Sequence, residues 1–479
     1  MKHILLLAIG LIFIACQPAV VKNDQADPAR HIILLYTNDE HGWMEPEATY
    51  AGAAGMLALW KKEAGEDSLE HLLILSGGDM WTGPAISTIT HGKSMVEIMN
   101  RMKYDAVTLG NHEFDFTVDT LRQRIMEMQF PVVAANIREK ASGNRPDFVL
   151  PYTLQKVNGV SVGIIGLSSK FTPTTTKPDN VALYNFTDYI TEIKLVVPQL
   201  KAAGAELIVI CGHLCYEEMR DLAPQAKALG ISVIGGGHCH ETLNETVDGV
   251  TLVQTGSNLK KYAVVDLWFD NIADTVISIH SRMQSNTTAE ADSSLQKAIA
   301  SQRQSMDIGL TEVIGYAREK IPGNSVEMRN LITDSWLYMY PQGQIAITNT
   351  GGIRQEIQAG NITIETIFGL LPFQNSILEL KLTGAQFKDC LTRDMVIGGV
   401  NMINGELLNS GGTLHADSTY RVLINDYMYS LPNRKFKTFD PKPYDTGILY
   451  RQPLLDWLRS VKTDTGNPLN NYLDQQPRR

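Results

Sequence analysis

Side chains that can bind metal ions or transfer protons follow several short apolar runs in the N-terminal half of this chain. One such run ends at Leu109 and is followed, after a glycine, by Asn111, His112 and, three residues beyond the histidine, Asp115. An amide oxygen can bind a metal ion, an imidazole can donate a proton to a leaving group, and a carboxylate can keep that imidazole protonated. Since these residue types also favour turns, the segment alone is compatible with a polar turn after a buried strand.

The same arrangement recurs along the first half of the chain. Eight candidate site residues each follow an apolar run through a turn: Asp39, His41, Asp79, Asn111, His112, His213, His238 and His240. If the apolar runs are strands of sheets, one edge can gather all eight side chains. His238 and His240 are alternate residues, which point the same way in extended backbone and can serve two adjacent ions. The repeated pattern favours a shared site over isolated turn or core residues.

The chemistry of these groups predicts a site for two divalent metal ions. Oxygen and imidazole ligands of this kind are typical of Zn, Mn, Fe or Ni, and the Asp79 carboxylate can bridge two ions about 3.5 to 4 Å apart. Two such ions bring about four positive charges and the carboxylates of Asp39 and Asp79 remove about two. The result is a cationic pocket in a chain of net charge -10. It would attract phosphate, and a metal-activated water would attack phosphorus in line.

Apolar runs alternate with helix-compatible stretches from His31 onward, which predicts an α/β layered architecture. Strands of the first half are expected within 32–36, 72–75, 106–109, 132–135, 160–167, 207–210, 231–234, 251–255 and 263–269. Helices are expected at 52–63, at a capping box formed by Ser94 and Glu97, and near 118–128. In the second half we expect a helix at 327–339, strands at 344–347, 376–382 and 420–425, and a helix opening at a Thr383/Gln386 capping box.

The overall composition is that of a soluble globular protein with more than one domain. A length of 479 residues exceeds one ordinary core, and 44% of the residues are hydrophobic and 20% charged. The negative net charge argues against a nucleic-acid polymer as partner, because such partners need a basic face. Residues 287–309 are polar and helix-favouring, and we interpret them as a helix that links two domains. The oligomeric state stays open.

The first residues predict export. The apolar run from Ile4 to Ala15 is too short to span a bilayer but has the length of a secretory signal core. It ends at Cys16 in a pattern that resembles the bacterial lipoprotein signal, although Phe13 stands where leucine is usual. We therefore expect a lipoprotein-type signal peptide at 1–16, a polar tether at 17–30, and a location in the periplasm or cell envelope. A lipid on Cys16 would be the only attachment to a membrane.

Three of the remaining cysteines lie near candidate ligand histidines. Cys211, Cys215 and Cys239 could be small buried apolar residues, or one could supply a thiolate ligand. A disulfide between Cys215 and Cys239 is a third alternative in an oxidising compartment. The fourth cysteine, Cys390, lies in the second half.

The motifs resemble those of a known family. Thr37-Asn-Asp-x-His-Gly42, Gly78-Asp79, Gly110-Asn-His-Glu113, Gly212-His213 and Gly237-His-x-His240 are similar to the five motifs of calcineurin-like metallophosphatases. Asn349-Thr-Gly-Gly-Ile-Arg354 and Leu371-Pro-Phe373 resemble the C-terminal domain of the bacterial 5′-nucleotidase/UDP-sugar hydrolase family. The resemblance implies a four-layer β-sandwich flanked by helices at 31–286, the linking helix at 287–309, and a smaller α/β substrate domain at 310–479.

The resemblance also implies roles for individual residues. One ion would be held by Asp39, His41, Asp79 and His240, and the other by Asp79, Asn111, His213 and His238. His112 with Asp115 would protonate or stabilise the leaving oxygen. Asn349 and Arg354 would meet the nucleotide and Phe373 would stack on its base, which agrees with the fork of an arginine for anions and the flat face of a phenylalanine.

Two segments depart from the family pattern. Its Gly-Gly-Asp-Gly-aromatic loop is replaced by Asn425-Asp-Tyr-Met-Tyr-Ser-Leu-Pro-Asn-Arg-Lys-Phe436, in which Tyr429 or Phe436 could be the second base-stacking aromatic, and Ser325-Val-Glu-Met-Arg329 is also altered. The expected activity is phosphate removal from 5′-nucleotides. The alternatives are 2′,3′-cyclic nucleotides, UDP-sugars or a sulfur-oxyanion conjugate as substrate, or a non-catalytic nucleotide-binding surface lipoprotein.

Overall fold

The computed structural model describes residues 29–65, 69, 71–306, 309–403, 406–409 and 412–478. The expected signal peptide at 1–16 and residues 17–28 of the expected tether lie outside the described residues. Among the residues that are described, no helix is both long and apolar enough to cross a membrane. The structure therefore bears on the two folded halves of the chain.

Two six-stranded sheets form the centre of the N-terminal half. Its strands are, in chain order, β1 (Ala29–Thr37), β2 (Leu72–Ser76), β3 (Ala106–Thr108), β4 (Val132–Val133), β5 (Ile137–Glu139), β6 (Tyr152–Val157), β7 (Val160–Leu167), β8 (Tyr184–Phe186), β9 (Leu207–Gly212), β10 (Ile231–Gly235), β11 (Thr242–Val247), β12 (Val250–Thr255), β13 (Lys261–Asp270) and β14 (Thr275–Ser285). The first sheet has the order β14-β13-β1-β2-β3-β4 and the second β11-β12-β10-β9-β7-β6. Strands β1 to β4 pair in parallel, as do β7, β9, β10 and β12.

The two sheets pack face to face. Alternate residues of each strand point to opposite faces of its sheet, so one set of apolar side chains from each sheet meets in the core between them. Ile32, Leu34 and Tyr36 of β1 enter the core between the sheets, together with residues of β7 and β9 such as Val162. Leu35 enters a different core, between the first sheet and its helices. A third core lies between the second sheet and its own helices. The order of layers is thus helix, sheet, sheet, helix, which is the four-layer arrangement that the family resemblance implied.

Helices cover both outer faces of this half. They are α1 (Gly52–Ala64), α2 (Ala85–Thr88), α3 (Lys93–Met102), α4 (Val118–Glu127), α5 (Thr172–Thr175), α6 (Tyr189–Ala202), α7 (Tyr216–Ala228) and α8 (Ser293–Met306), with 3-10 turns at His112–Phe114 and Pro178–Val181. Helix α8 lies within the stretch expected to link two domains. Its Leu295 and Ile299 are buried in the core that α1 and α3 share with the first sheet, so α8 packs on the N-terminal half.

The C-terminal half is built on a five-stranded sheet. Its strands are β15 (Val313–Ala317), β16 (Ile345–Asn349), β17 (Gly360–Thr363), β18 (Ser376–Thr383), β19 (Met395–Gly398), β20 (Asn401–Ile403), β21 (Glu406–Asn409), β22 (Gly412–Thr413), β23 (Thr419–Asn425) and β24 (Tyr444–Leu449). Its helices are α9 (Val326–Met339), α10 (Ile364–Leu370), α11 (Gly384–Cys390), α12 (Asp426–Ser430), α13 (Phe436–Phe439) and α14 (Gln452–Val461), with 3-10 turns at Thr350–Gly352 and Leu469–Tyr472. The main sheet has the order β19-β16-β23-β18-β24 and carries one core on each face.

The two predicted capping boxes have different outcomes. Thr383 forms the expected box, since its hydroxyl accepts from Gln386 N and the Gln386 side chain accepts from Thr383 N. The box at Ser94 was wrong, because α3 already begins at Lys93 after Gly92, whose φ of 80° is left-handed. Ser94 is inside the first turn, and its hydroxyl donates to Ile86 O at 2.8 Å. A glycine cap thus replaces the predicted serine cap.

Candidate functional site

The candidate ligands lie on loops that leave the carboxyl ends of parallel strands in both sheets. Asp39 and His41 follow β1, Asp79 follows β2, Asn111 and His112 follow β3, His213 follows β9, and His238 and His240 follow β10. Because the two sheets face each other, these strand ends meet at one edge of the sandwich. Two groups of potential metal ligands result there, and within each group the ligand atoms lie within 4.8 Å of one another.

The first group is formed by Asp39, His41 and His240. The Nε2 atoms of the two histidines are 3.0 Å apart. Asp39 Oδ1 lies 3.3 Å from His240 Nε2 and 3.8 Å from His41 Nε2. Burial, together with the guanidinium of Arg354, lowers the pKa of His41. A neutral imidazole has a free lone pair, so the three side chains suit a shared cation.

The second group is formed by Asp79, His213 and His238, with the amide of Asn111 beside it. His213 Nε2 lies 3.1 Å from Asp79 Oδ2 and 3.3 Å from Asn111 Oδ1. The amide nitrogen of Asn111 donates to Thr175 O, which turns the oxygen toward the site. Burial and the neighbouring His213 lower the pKa of His238 to about 4. All the ligand types expected from the sequence are therefore present around these two positions.

His213 is oriented for binding through Nε2. Its Nδ1 donates to Gly77 O at 2.7 Å, which fixes the tautomer when the ring is neutral. Although burial opposes a charged ring, the Asp79 and Asp39 carboxylates raise the pKa of His213 to about 10. The carboxylates that favour a proton on Nε2 would equally attract a cation there, so a divalent ion can take the place of that proton. The donor set of carboxylates, imidazoles and one amide oxygen fits transition-metal ions.

The ligand loops have unusual backbone conformations. Left-handed φ angles of 52°, 47°, 57°, 75° and 54° occur at five candidate ligands: Asp39, His41, Asp79, His238 and His240. Each such angle costs about 1–2 kcal/mol in a residue with a Cβ and persists only where the surroundings impose it. At Gly110 the constraint is steric, because a Cβ there would lie 2.1 Å from Asp79 Oδ1. The backbone is thus shaped around the positions of the ligands.

His112 and Asp115 form the expected pair. His112 Nδ1 lies 2.8 Å from Asp115 Oδ2, and Thr176 Oγ1 donates to Asp115 Oδ1 at 2.9 Å. Burial opposes charge on the imidazole, but the carboxylates of Asp115 and Asp79 outweigh it and raise the pKa of His112. The main-chain nitrogen of His112 also donates to Asp79 Oδ1. The surroundings of the ring therefore favour its protonated form beside the candidate metal ligands, and Asp115 engages Nδ1 rather than Nε2.

Glu113 is a site residue that sequence reasoning did not single out. Its buried carboxylate accepts hydrogen bonds from the main-chain nitrogens of Asp79, Met80 and Gly110, at 2.7 to 2.8 Å. Burial, with the nearby charge of Asp79, raises the pKa of Glu113 to about 8. The position of a carboxylate directly after the Asn-His pair was the available indication. Glu113 ties the loop of Asp79 to the loop of Asn111.

A cavity of about 350 Å³ opens beside the ligands and is lined by both halves of the chain. We call it the central cavity. The C-terminal half contributes the three expected substrate residues, Asn349, Arg354 and Phe373. The Arg354 guanidinium donates to His41 Nε2 at 3.1 Å, and the Phe373 ring stacks on His112 with centroids 5.5 Å apart. Anion-binding, aromatic and metal-binding groups thus share one space.

The second aromatic residue that the C-terminal half contributes to the central cavity is Tyr427, not the residues that the sequence suggested. Tyr429 and Phe436 are buried in the core of the C-terminal half, and the Tyr429 hydroxyl donates to Asp440 O. Tyr427 lines the cavity, and its hydroxyl donates to Thr174 O of the N-terminal half at 2.9 Å. The reason is helical geometry: in α12, residues two positions apart point in different directions.

The cysteine alternatives are resolved for the described residues. Cys215 and Cys239 form a disulfide with Cα atoms 5.2 Å apart, so neither is a small buried apolar residue or a thiolate ligand. Cys211 and Cys390 are free and buried. Burial raises the pKa of the Cys211 thiol above its usual range, which keeps it protonated and unreactive.

Comparison with known proteins gives similarity over both halves. Residues 307–405 match the family described as 5′-nucleotidase, C-terminal domain. The chain is 25% identical to a Vibrio cholerae 5′-nucleotidase, with 96% of each chain covered. It is 26% identical to the Bacillus subtilis endonuclease YhcR over 91% of its own length but spans only 40% of that relative. The crystal structure of a 5′-nucleotidase precursor from Thermus thermophilus superposes with a TM-score of 0.80 at 24% identity, covering 94% of this chain and 99% of that one.

Proposed function

This chain belongs to the 5′-nucleotidase family of metal-dependent phosphohydrolases, and on this premise we propose that it removes phosphate from 5′-nucleotides at a site for two divalent ions. The family was expected from the motifs, and that expectation is confirmed. The observation that carries the proposal is the meeting of two ligand groups, Arg354 and two aromatic walls around one cavity.

We assign one ion to each of the two ligand groups described above, with Asp79 of the second group shared between both ions and Asn111 added to the second group. Asp39, His41, Asp79 and His240 would hold one ion, and Asp79, Asn111, His213 and His238 the other. Bound ions would lower the pKa of the attacking water and balance charge on the phosphate. Arg354 would orient the phosphate through its planar fork.

The chain supplies the proton for the leaving group. As the oxygen of water bonds to phosphorus, the bond from phosphorus to the nucleoside 5′ oxygen breaks, and that oxygen needs a proton. His112 Nε2 is the donor in this proposal, because Nδ1 is engaged by Asp115 at 2.8 Å. The charge of Asp115 keeps the ring protonated before the reaction and stabilises its orientation.

The nucleoside would occupy the part of the central cavity between Phe373 and Tyr427. Base stacking on aromatic rings tolerates different bases, which suits an enzyme for several nucleotides. Asn349 would contribute a polar contact, and its Oδ1 is held by Asn425 Nδ2 at 3.1 Å.

We also propose a separate role for each segment of the chain. Residues 31–286 would be the catalytic domain and 310–479 the substrate domain, supported by their separate hydrophobic cores. Residues 287–309 would connect them. Export through the signal peptide at 1–16, with a lipid on Cys16, would place the enzyme at the cell envelope.

Metal analysis combined with a substrate panel tests this function. Protein beginning after Cys16 should bind about two ions per chain, as two-metal sites do, and should release phosphate from AMP when Mn or Zn is supplied. The matched variant His112→Asn should retain its ions and lose most turnover. Absence of phosphate release from every nucleotide and phosphoester tested would contradict the proposal.

A second candidate keeps the chemistry but changes the substrate. The segment after Asp426 departs from the family loop, and Tyr427 takes the position of an aromatic wall. Because this altered segment borders the cavity, the substrate could differ from AMP. The hydrolysis rates of AMP, 2′,3′-cyclic nucleotides, UDP-sugars and sulfur-oxyanion esters should therefore be compared. A clear preference for AMP would remove this alternative. A non-catalytic binding lipoprotein would instead bind nucleotide without turnover in both the wild type and His112→Asn.

A further inference from the structure

The Cys215–Cys239 disulfide connects the two loops that carry the histidine ligands of the second sheet. Cys215 lies two residues after His213, and Cys239 lies between His238 and His240. Each of the two ligand groups contains at least one of these histidines. The covalent bond therefore lies next to both candidate ion positions, although neither sulfur is a ligand.

The loop of His238 and His240 has little regular structure of its own. The pairing of β10 with β9 ends at Gly235 and Cys211, and both histidines beyond it have left-handed φ angles. Backbone angles of this kind persist only when neighbouring contacts impose them. The loop thus needs support from outside itself.

Part of that support comes from the segment that begins helix α7. Gly237 N donates to Leu214 O at 2.9 Å, and Tyr216 N donates to Glu241 Oε2 at 3.0 Å. The disulfide lies between these two hydrogen bonds in both segments. It is the covalent member of this attachment. Hydrogen bonds from His238 N to Asp39 Oδ2 at 3.0 Å and from Gln254 Nε2 to Gly237 O at 2.9 Å hold the other side of the loop. Loss of the disulfide would therefore leave the histidine loop held by hydrogen bonds alone.

From this geometry we infer that the Cys215–Cys239 disulfide is a positioning element that holds His213, His238 and His240 in place for metal binding, and that its reduction weakens metal retention. The inference rests on the metal ligands proposed above. A small external dithiol can reach the bond, because Cys239 is exposed. Two electrons and two protons pass from the dithiol to the bond, which yields thiols at Cys215 and Cys239 and the oxidised, cyclic form of the reagent.

The expected size of the effect follows from other metal sites. Groups that orient metal ligands without touching the metal change its affinity by about 10- to 100-fold when they are removed. Reduction should therefore raise the dissociation constant for Zn²⁺ by about 10- to 100-fold. Helix α7 and the sheets have their own buried cores, so the fold should persist.

The test measures Zn²⁺ affinity at 25 °C by competition with a chromophoric chelator, without substrate. The samples are the oxidised protein, protein reduced by a dithiol and alkylated, and the double variant Cys215→Ser, Cys239→Ser. Cys390→Ser is the matched control, because it replaces a buried free cysteine far from the ligands. Mass spectrometry establishes the state of each cysteine, and circular dichroism and the Tm report on the fold.

The inference is supported if Zn²⁺ binds more weakly to the reduced protein and to the double variant than to the oxidised protein. Cys390→Ser should keep the wild-type affinity, and the dithiol should not change the affinity of the double variant. If the double variant fails to fold, the reduced and alkylated protein decides. A lower Tm with unchanged Zn²⁺ affinity would mean a structural role alone and overturns the inference, as would free thiols at both positions in air-oxidised protein. Because no substrate is present, a failure of the proposed nucleotidase activity leaves this result readable.

Discussion

Replacement of Asp115 by asparagine isolates the charge that keeps His112 protonated. Asparagine has nearly the same shape, and its oxygen can still accept from His112 Nδ1, where the carboxylate accepts at 2.8 Å. Both side chains are largely buried, with 12% and 10% of their surface exposed, so solvent screens the pair only weakly. The change therefore removes a charge and preserves most of the geometry.

The upper limit of the effect is the contribution of a hydrogen bond to a charged group, because asparagine keeps the bond but not the charge. Such bonds contribute about 1.5–3 kcal/mol, which corresponds to about 10- to 150-fold in rate. Asp115 is the largest of the influences that raise the pKa of His112 against burial. Without it the ring loses its proton at a lower pH, and a general acid is active only while protonated. The alkaline limb of kcat/KM should thus move to lower pH, with the full loss above the new limb and a small loss below it.

The assay is the pH profile of kcat/KM for AMP, with metal content measured in each sample. A nitrophenyl phosphate serves as a second substrate, because its leaving group departs without a proton and should be far less sensitive. Thr176→Val is the matched control, since it removes the donor to the other oxygen of Asp115 and leaves the charge. A profile of Asp115→Asn that superposes on wild type, or an equal loss at every pH and for both substrates, would refute the role of the pair.

Three further predictions follow from the structure. A chelator should abolish phosphate release and lower the Tm, because ions that bind only the folded state stabilise it. Added Mn or Zn should restore both the activity and the Tm. Activity that survives verified metal removal would contradict the two-ion site. Phe373→Ala and Tyr427→Ala should each weaken AMP binding by about 1–3 kcal/mol, which would appear as a higher KM for AMP and little change for nitrophenyl phosphate. The control variant Tyr427→Phe should behave like wild type. Equal losses for both substrates would argue against base stacking. Glu192→Gln should lower the free energy of unfolding by about 3–5 kcal/mol at pH 7, since it leaves Arg138 and Arg145 unpaired. Burial opposes the charge of Glu192, but the hydrogen bonds from Arg138 prevail and lower its pKa, so the stabilisation is present above the unfolded pKa of about 4.3 and fades as pH falls through the folded pKa. Urea unfolding of wild type and Glu192→Gln at pH 7 and pH 4 measures this stabilisation. A stability difference between the two proteins that grows in acid would be inconsistent with it.

The sequence predicted the strands and their polar ends well, because both depend on local patterns. Strand β7 has the predicted bounds, and helix α9 begins one residue before its predicted start. Apolar runs identify buried parallel strands, and polar residues at their carboxyl ends then share an edge for topological reasons. The proximity of Asp39 and His240, far apart in the chain, needed only that rule.

Features that depend on tertiary contacts could not be predicted in the same way. The choice of Tyr427 over Tyr429 depends on which face of the short helix α12 meets the core, and the sequence leaves that open. The disulfide required knowing that Cys215 and Cys239 lie on adjacent loops. Glu113 looked like part of a turn, and only the structure shows its three main-chain donors.

The two sides of the metal site are held by different means. The loops of Asp39 and Asp79 support each other through three successive backbone hydrogen bonds, from Asp39 N to Gly78 O, from His41 N to Asp79 O and from Gly42 N to Met80 O, all at 2.8 to 2.9 Å. That ladder imposes the left-handed angles on this side without help from a metal ion, so these carboxylates are preorganised. On the opposite side, the His240 side chain is 36% exposed, and its loop is held by separate side-chain and backbone hydrogen bonds together with the disulfide.

This asymmetry has a consequence for the two candidate ion positions. The position near Asp79 is enclosed by His213, which is fully buried and oriented by Gly77 O. At the position near Asp39 and His41, the third candidate ligand, His240, is partly exposed to solvent. For the proposed two-ion site we therefore expect the ion beside the partly exposed His240 to be held less tightly than the ion beside the buried His213, and to be lost first when a chelator is added stepwise.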